Sequence, residues 1–163
     1  MNIKKYLLAA ALILSLTAHA QTAEEWFAQG YAKYEQNDKA GEIADYSRAI
    51  QTNPQYAQAY YNRGNAKSAL GDKAGAIIDY NQAIQINPQD AMAYSNRGNA
   101  KAALGDKAGA IADHSSAIQI NPQDALAYYN RGNAKSDLGD KAGAITDYSY
   151  AIQINPQYAD AYT

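Results

Sequence analysis

The residues of this chain best equipped for covalent chemistry are His114 and its neighbours, in the run Asp113-His114-Ser115. These three types serve a hydrolase as orienting acid, base and nucleophile, but a triad needs side chains that converge at hydrogen-bond distance. Consecutive helical positions project about 100° apart, so three adjacent residues cannot converge. The column that His114 occupies holds tyrosine elsewhere, so His114 is expected to fill a packing slot. With no cysteine and only one other histidine, His19, no metal cluster can be assembled. The recurring Gly-Asp-Lys lacks the glycine-rich surroundings of a phosphate loop. Asp79, Asp113 and Asp147 recur in register and are expected to face water or to pair with nearby basic groups. No nucleophile and base can be named together, so the expectation is no catalytic residue, no metal and no cofactor.

Asparagine offers a different chemistry. Asn62 with Asn65, Asn96 with Asn99, and Asn130 with Asn133 each stand one helical turn apart. A side-chain amide carries both a donor and an acceptor, so it can bond a peptide backbone whatever side chains that peptide bears. Repeated in register, the pairs would form a ladder.

The elements that position these groups follow from a period of thirty-four. Residues 23–56, 57–90, 91–124 and 125–158 share one pattern, and a fifth block begins at 159–163. NRGNAK recurs at Asn62, Asn96 and Asn130; LGDKAGAI recurs at Leu70, Leu104 and Leu138; AIQINPQ recurs at Ala83, Ala117 and Ala151. Each block reads as two helices. Ala57 to Leu70 is helix-compatible, Gly71 closes that helix, and Asp72 caps the next one. Ile77, Tyr80 and Ile84 then follow at helical spacing, with Ala76 and Ala83 beside them, until Asn87-Pro88 ends the run. Asp90 is placed to cap the following helix. Gly41, Gly75, Gly109 and Gly143 fall in the first turn of each second helix, where glycine costs about 1 kcal/mol relative to alanine. Propensity gives no reason for them.

Before this array, residues 1–20 have the form of a cleavable export signal. Lys4 and Lys5 precede an apolar run from Tyr6 to Leu16, too short to span a bilayer, and Ala18-His19-Ala20 is a small-x-small cleavage site. The mature chain is expected to begin at Gln21, outside the cytoplasm, in the periplasm or secreted from a bacterial cell, with no stable membrane insertion afterwards. Of 14 basic and 16 acidic residues, the signal carries two lysines and no acid, which leaves the mature chain near −4. Such a balance offers no basic footprint for nucleic acid.

Column by column the blocks resemble the tetratricopeptide-repeat family. The large opening aromatic is Trp26, Tyr60, Tyr94 and Tyr128; the close-approach glycine is Gly30, Gly64, Gly98 and Gly132; the closing proline is Pro54, Pro88, Pro122 and Pro156. The small residue of the second helix is Ala76, Ala110 and Ala144, and the aromatic four places on is Tyr46, Tyr80, His114 and Tyr148. The chain departs from the pattern at Gln29, Arg63, Arg97 and Arg131, at Lys33, Lys67, Lys101 and Lys135, and at Glu42, which makes the first block the least regular. Arg63, Arg97 and Arg131 are expected to pair with Asp79, Asp113 and Asp147 in partly screened contacts.

The resemblance implies an all-α fold, a right-handed α-solenoid of tandem helix-turn-helix units whose first helices line a concave groove. It further implies a non-catalytic adaptor that binds an extended protein or peptide there, with Tyr61 and Tyr129 pointing into the groove beside the asparagines. The asparagine columns are similar to the peptide-gripping ladder of the N-acetylglucosamine transferases. The carboxylate clamp of chaperone adaptors is similar only in its asparagines, since Tyr61, Ser95 and Asn130 stand where its lysine and arginine partners would be. Two other roles remain open: a structural element that self-associates through its uncovered last block, and a fragment of a longer repeat protein.

Overall fold

The computed structural model describes residues 21–158; the expected export signal at 1–20 and the start of the fifth block at 159–163 lie outside the described residues. Eight helices and no strand are present among them: α1 (Ala23–Glu35), α2 (Lys39–Thr52), α3 (Ala57–Ala69), α4 (Lys73–Ile86), α5 (Ala91–Ala103), α6 (Lys107–Ile120), α7 (Ala125–Asp137) and α8 (Lys141–Ile154). They pair as antiparallel neighbours, α1 with α2 and so on, and each second helix lies against the first helix of the next pair. This is an all-α helical-repeat solenoid. The first helices of neighbouring pairs also touch, α3 with α5 and α5 with α7, which places them on the inner row of the curve.

The turns are set by local chemistry. Gly71, Gly105 and Gly139 take φ of 87°, 89° and 86°, the left-handed region that lets the chain reverse after the first helix, and Asn37 takes the same role in the first pair at φ 57°. Asp38, Asp72, Asp106 and Asp140 then cap the second helices by accepting from the backbone N–H of Gly41, Gly75, Gly109 and Gly143 at 2.8–2.9 Å. A Cβ on any of those glycines would overlap the capping carboxylate. The glycines that propensity leaves unexplained are therefore the seats of the caps. Asp90 and Asp124 cap α5 and α7 in the same way, whereas Tyr56 precedes α3 and supplies no side-chain cap.

Small residues bring the helices together. Ala59, Ala93 and Ala127 on first helices and Ala49, Ala83, Ala117 and Ala151 on second helices are completely buried. The ring of Tyr80 lies directly on Gly64, where a Cβ would sit 2.7 Å from the ring. Fully burying a side chain of this size contributes on the order of 2 kcal/mol. The last pair is less covered: Ile77 and Ile111 are half-buried, while their counterpart Ile145 is 65% exposed.

Candidate functional site

Between the two helices of each later pair lies a buried charge. Arg63 grips Asp79 with two parallel bonds, Nε to Oδ2 at 2.9 Å and Nη2 to Oδ1 at 2.6 Å; Arg97 holds Asp113 and Arg131 holds Asp147 in the same fork. A second cation reaches each carboxylate: Lys67, Lys101 and Lys135 approach at 2.8–2.9 Å. The aspartate side chains are only 1–5% exposed. The expected partners are present, but the expectation of screened contacts or water-facing aspartates is corrected: the carboxylates are interior. Burial pushes the Asp147 carboxyl upward, yet the bonds from Arg131 and Lys135 outweigh it and hold it below the usual carboxylate range. Nη1 of Arg63, Arg97 and Arg131 continues outward to Ser47, Asn81 and Ser115 on the preceding pair. The fork thus fixes the angle between helices and the register between pairs, and so positions the inner face.

On that face the asparagines meet across pairs. Asn96 donates through Nδ2 to Asn65 Oδ1 at 2.9 Å and to Tyr61 Oη at 3.1 Å, and Asn130 donates to Asn99 Oδ1 at 3.0 Å. The phenols of the second helices support them from behind, Tyr80 donating to Asn65 and Tyr148 to Asn133, each at 2.8 Å. Asn62 reaches Tyr46, whose phenol is pushed up to about 12, chiefly by burial and then by the nearby Glu42. An asparagine face wholly given over to solvent in the free protein is not what the geometry shows. The amides already form an internal ladder, which fixes their rotamers. Among the described residues it leaves Nδ2 of Asn65 and Asn99 as donors and Oδ1 of Asn96 and Asn130 as acceptors.

Tyr61 and Tyr129 are half-buried, not projecting freely. Tyr61 lies 6.1 Å from the Tyr80 ring, and Tyr129 lies 5.9 Å from Tyr148 and 5.4 Å from Tyr158. Where Tyr61 stands in the second pair, the third has Ser95, so among the described residues the Asn130 amide donates to one partner where that of Asn96 donates to two. A cavity of about 490 Å³ opens between Phe27, Gln58, Tyr61, Asn62 and Met92.

His114 fills the tyrosine slot over Gly98 and is 1% exposed, with Nδ1 unpartnered among the described residues. Burial lowers its pKa to about 4, so it is neutral at pH 7. Its shorter ring coincides with a loss nearby. Lys73 and Lys141 fold back onto Ser68 and Ser136, but the matching residue in the third pair is Ala102, and Lys107 instead pairs with Asp137 of the next pair at 2.7 Å.

Sequence reasoning does not single out Lys67, Lys101 and Lys135 as second partners of the aspartates, although their four-residue spacing from the arginines was the available signal. Nor does it find the different arrangement of the first pair. There Gln29 replaces arginine, and Arg48 on α2 itself bonds Asp45 at 2.8 Å while covering the Trp26 ring.

Two sequence models match. The one described as Tetratricopeptide repeat covers residues 57–90 and 125–158, and the one described as TPR repeat covers 30–71 and 98–139. No curated protein sequence matches. Among solved structures, the chain is similar to a MamA protein at 26% identity and TM-score 0.82, over 86% of this chain and 76% of that one. It is also similar to the first TPR of Spaghetti (RPAP3) bound to the HSP90 peptide SRMEEVD, at 24% identity and TM-score 0.71, over 76% and 98% of the chains. A third likeness is to YrrB, a TPR protein with an unusual peptide-binding site, at 20% identity and TM-score 0.77, over 88% and 73%. The last two likenesses show the fold.

Proposed function

Because the chain belongs to the tetratricopeptide-repeat family, generally a non-catalytic interaction scaffold, we propose that it holds an extended polypeptide along its inner face. The observation that carries this reading is the alternation of uncommitted amide groups on successive first helices, donors at Asn65 and Asn99 and acceptors at Asn96 and Asn130. A peptide backbone offers the complementary set at each residue. The ladder holds these amides in place before a ligand arrives, which lowers the ordering cost of binding. Gln58, Met92 and Leu126, all exposed, line the same face and add side-chain contact. The peptide-bound RPAP3 structure and the peptide-binding site named for YrrB support the reading by analogy of fold.

From the leader pattern of residues 1–20 we place this binding in the periplasm or outside the cell, and an intact mass beginning at Gln21 is the expected state of the exported chain. A photo-crosslinking residue at Gln58 tests the groove. Covalent capture of polypeptide from the native envelope is expected there and not from the same residue at Ile78, on an outer helix and 62% exposed. Capture from Ile78 alone would move the binding surface outward.

One observation favours a second reading, end-to-end self-association: Ile145 is 65% exposed where Ile77 and Ile111 are half-buried. Light scattering that gives a concentration-dependent mass, abolished by Ile145→Lys, would establish it; a constant monomer mass would remove it.

A further inference from the structure

We infer that the cavity at the first-pair end of the inner face is a seat for a positively charged side chain, lysine or arginine, of the polypeptide lying along the groove. The inference rests on the groove reading above. The cavity, of about 410 Å³, lies among Tyr31, Tyr34, Lys39, Glu42, Tyr46 and Asn62. Three of these are departures from the later pairs: Tyr31 and Tyr34 occupy the positions of Asn65 and Ser68, and Glu42 occupies that of Ala76. The inner face therefore changes character at this end, from amides to aromatic rings over a carboxylate.

A cation already shows what the site accepts. The Lys39 ammonium lies 4.6 Å from the Tyr34 ring centroid and 2.7 Å from Glu42 Oε1. Its counterparts Lys73 and Lys141 fold back onto Ser68 and Ser136, the residues that stand in the Tyr34 position, so the first pair keeps the direction of the lysine and changes what it meets, from a hydroxyl to an aromatic face and a carboxylate. Ring face plus buried carboxylate is an arrangement that favours ammonium and guanidinium groups. Tyr31 and Tyr34 are 50% and 56% exposed with ring centroids 6.0 Å apart, which leaves aromatic surface for a second stem to lie on. Burial chiefly, and the Glu42 charge next, push the Tyr46 phenol upward, so the Glu42 carboxylate is felt at the cavity wall.

The charge distribution points the same way and is independent of the cavity. Residues 21–56 carry Lys33, Lys39 and Arg48 against Glu24, Glu25, Glu35, Asp38, Glu42 and Asp45, whereas each of the three later blocks balances three basic against three acidic residues. All the net negative charge of the described chain is therefore at this end, where it attracts a basic segment and orients it along the groove. Lys39 is the occupant that a ligand cation displaces; its stem starts at the first residue of α2 and can swing to solvent.

The test uses the full mature chain and four pools of acetylated, amidated nonapeptides. The central residue is lysine, arginine, norleucine or glutamate, and the other positions are mixtures of alanine, serine, threonine and glutamine. NMR titration at low salt should show the lysine and arginine pools binding at least about fivefold tighter than the norleucine pool, with shifts at Tyr31 and Tyr34 and an advantage that shrinks as salt rises. Tyr34→Leu, at an exposed position that should not disturb folding, should remove that advantage. Lys39→Met should enlarge it by removing the competitor, and melts of both variants check that the fold persists. A preference for the glutamate pool that Lys39→Met abolishes would overturn the inference and make the cavity an anion site. Equal binding of all four pools, or a lysine preference mapping away from Tyr31 and Tyr34, would overturn it while leaving the groove reading intact. Absence of binding by any pool would overturn both.

Discussion

The first helix pair and the three that follow solve the same packing problem with different residues. Each buries an aspartate between its helices, Asp45, Asp79, Asp113 and Asp147. In the later pairs an arginine and a lysine on the facing helix reach across to it, and the arginine also ties down the preceding pair. In the first pair no pair precedes it among the described residues, and the cation comes from the same helix, Arg48, with its guanidinium over Trp26 and its side chain 53% exposed. The later arrangement sets register as well as neutralising charge; the first only neutralises charge. That difference frees the first pair to vary on its inner face, where Tyr31, Tyr34 and Glu42 replace the amide pattern.

The largest effect should come from removing the shared carboxylate. Asp79→Ala leaves Arg63 and Lys67, whose side chains are only 18% and 22% exposed, without their shared carboxylate and should cost about 3 kcal/mol, whereas Asp45→Ala leaves Arg48, 53% exposed, free to rehydrate and should cost markedly less. Denaturant melts of the two variants measure the contrast. Equal losses would mean that the forked arginine adds nothing beyond neutralisation.

A smaller effect should separate the third pair from its neighbours. His114 has a folded pKa of about 4 against an ordinary 6.5, lowered by burial and opposed by Asp113 and Asp124. The unfolded chain binds the extra proton between those values, so stability should fall as pH drops from 6.5 towards 4 and level off below, by up to about 3 kcal/mol. His114→Tyr with Ala102→Ser, which restores the second-pair pattern, should flatten that window in pH-dependent melts. A slope unchanged by the double substitution would place the titrating group elsewhere.

The smallest effect tests the cap glycines. Gly109→Ala should recover about 1 kcal/mol of helix propensity and lose the Asp106 cap, itself worth about 0.5 to 2 kcal/mol, for a net change near zero or mildly destabilising. A gain of the full propensity would show that the cap tolerates a Cβ.

Much of this is legible in the sequence because repetition makes it so. The thirty-four-residue period, Gly71 and its equivalents, the aspartate caps and the arginine–aspartate columns all follow from spacing and residue type, and the helices form where those signals stand. Depth is what spacing withholds. Asp79 reads as a surface residue by type, and only the facing positions of Arg63 and Lys67 make its burial tolerable. The glycines at 41, 75, 109 and 143 look like defects until the capping carboxylate is seen against them. The inner-face asparagines are identifiable as a column, but their bonds run between residues 31 apart, such as Asn65 and Asn96, a relation fixed by how pairs stack. The first pair's substitute, Arg48, escapes column reasoning because it comes from a different helix position.

The central claim is that the inner-row amides hold an extended backbone, and side-chain amide NMR tests it most directly. The mature chain would be titrated with two neutral, terminally blocked nonapeptide pools of alanine, serine, threonine and glutamine, one ordinary and one N-methylated throughout its backbone. The account predicts that the ordinary pool shifts the side-chain amide signals of Asn65, Asn96, Asn99 and Asn130, and that N-methylation, which removes the backbone donors, abolishes the response. Binding with those four signals unmoved, or equal binding of both pools, would contradict it.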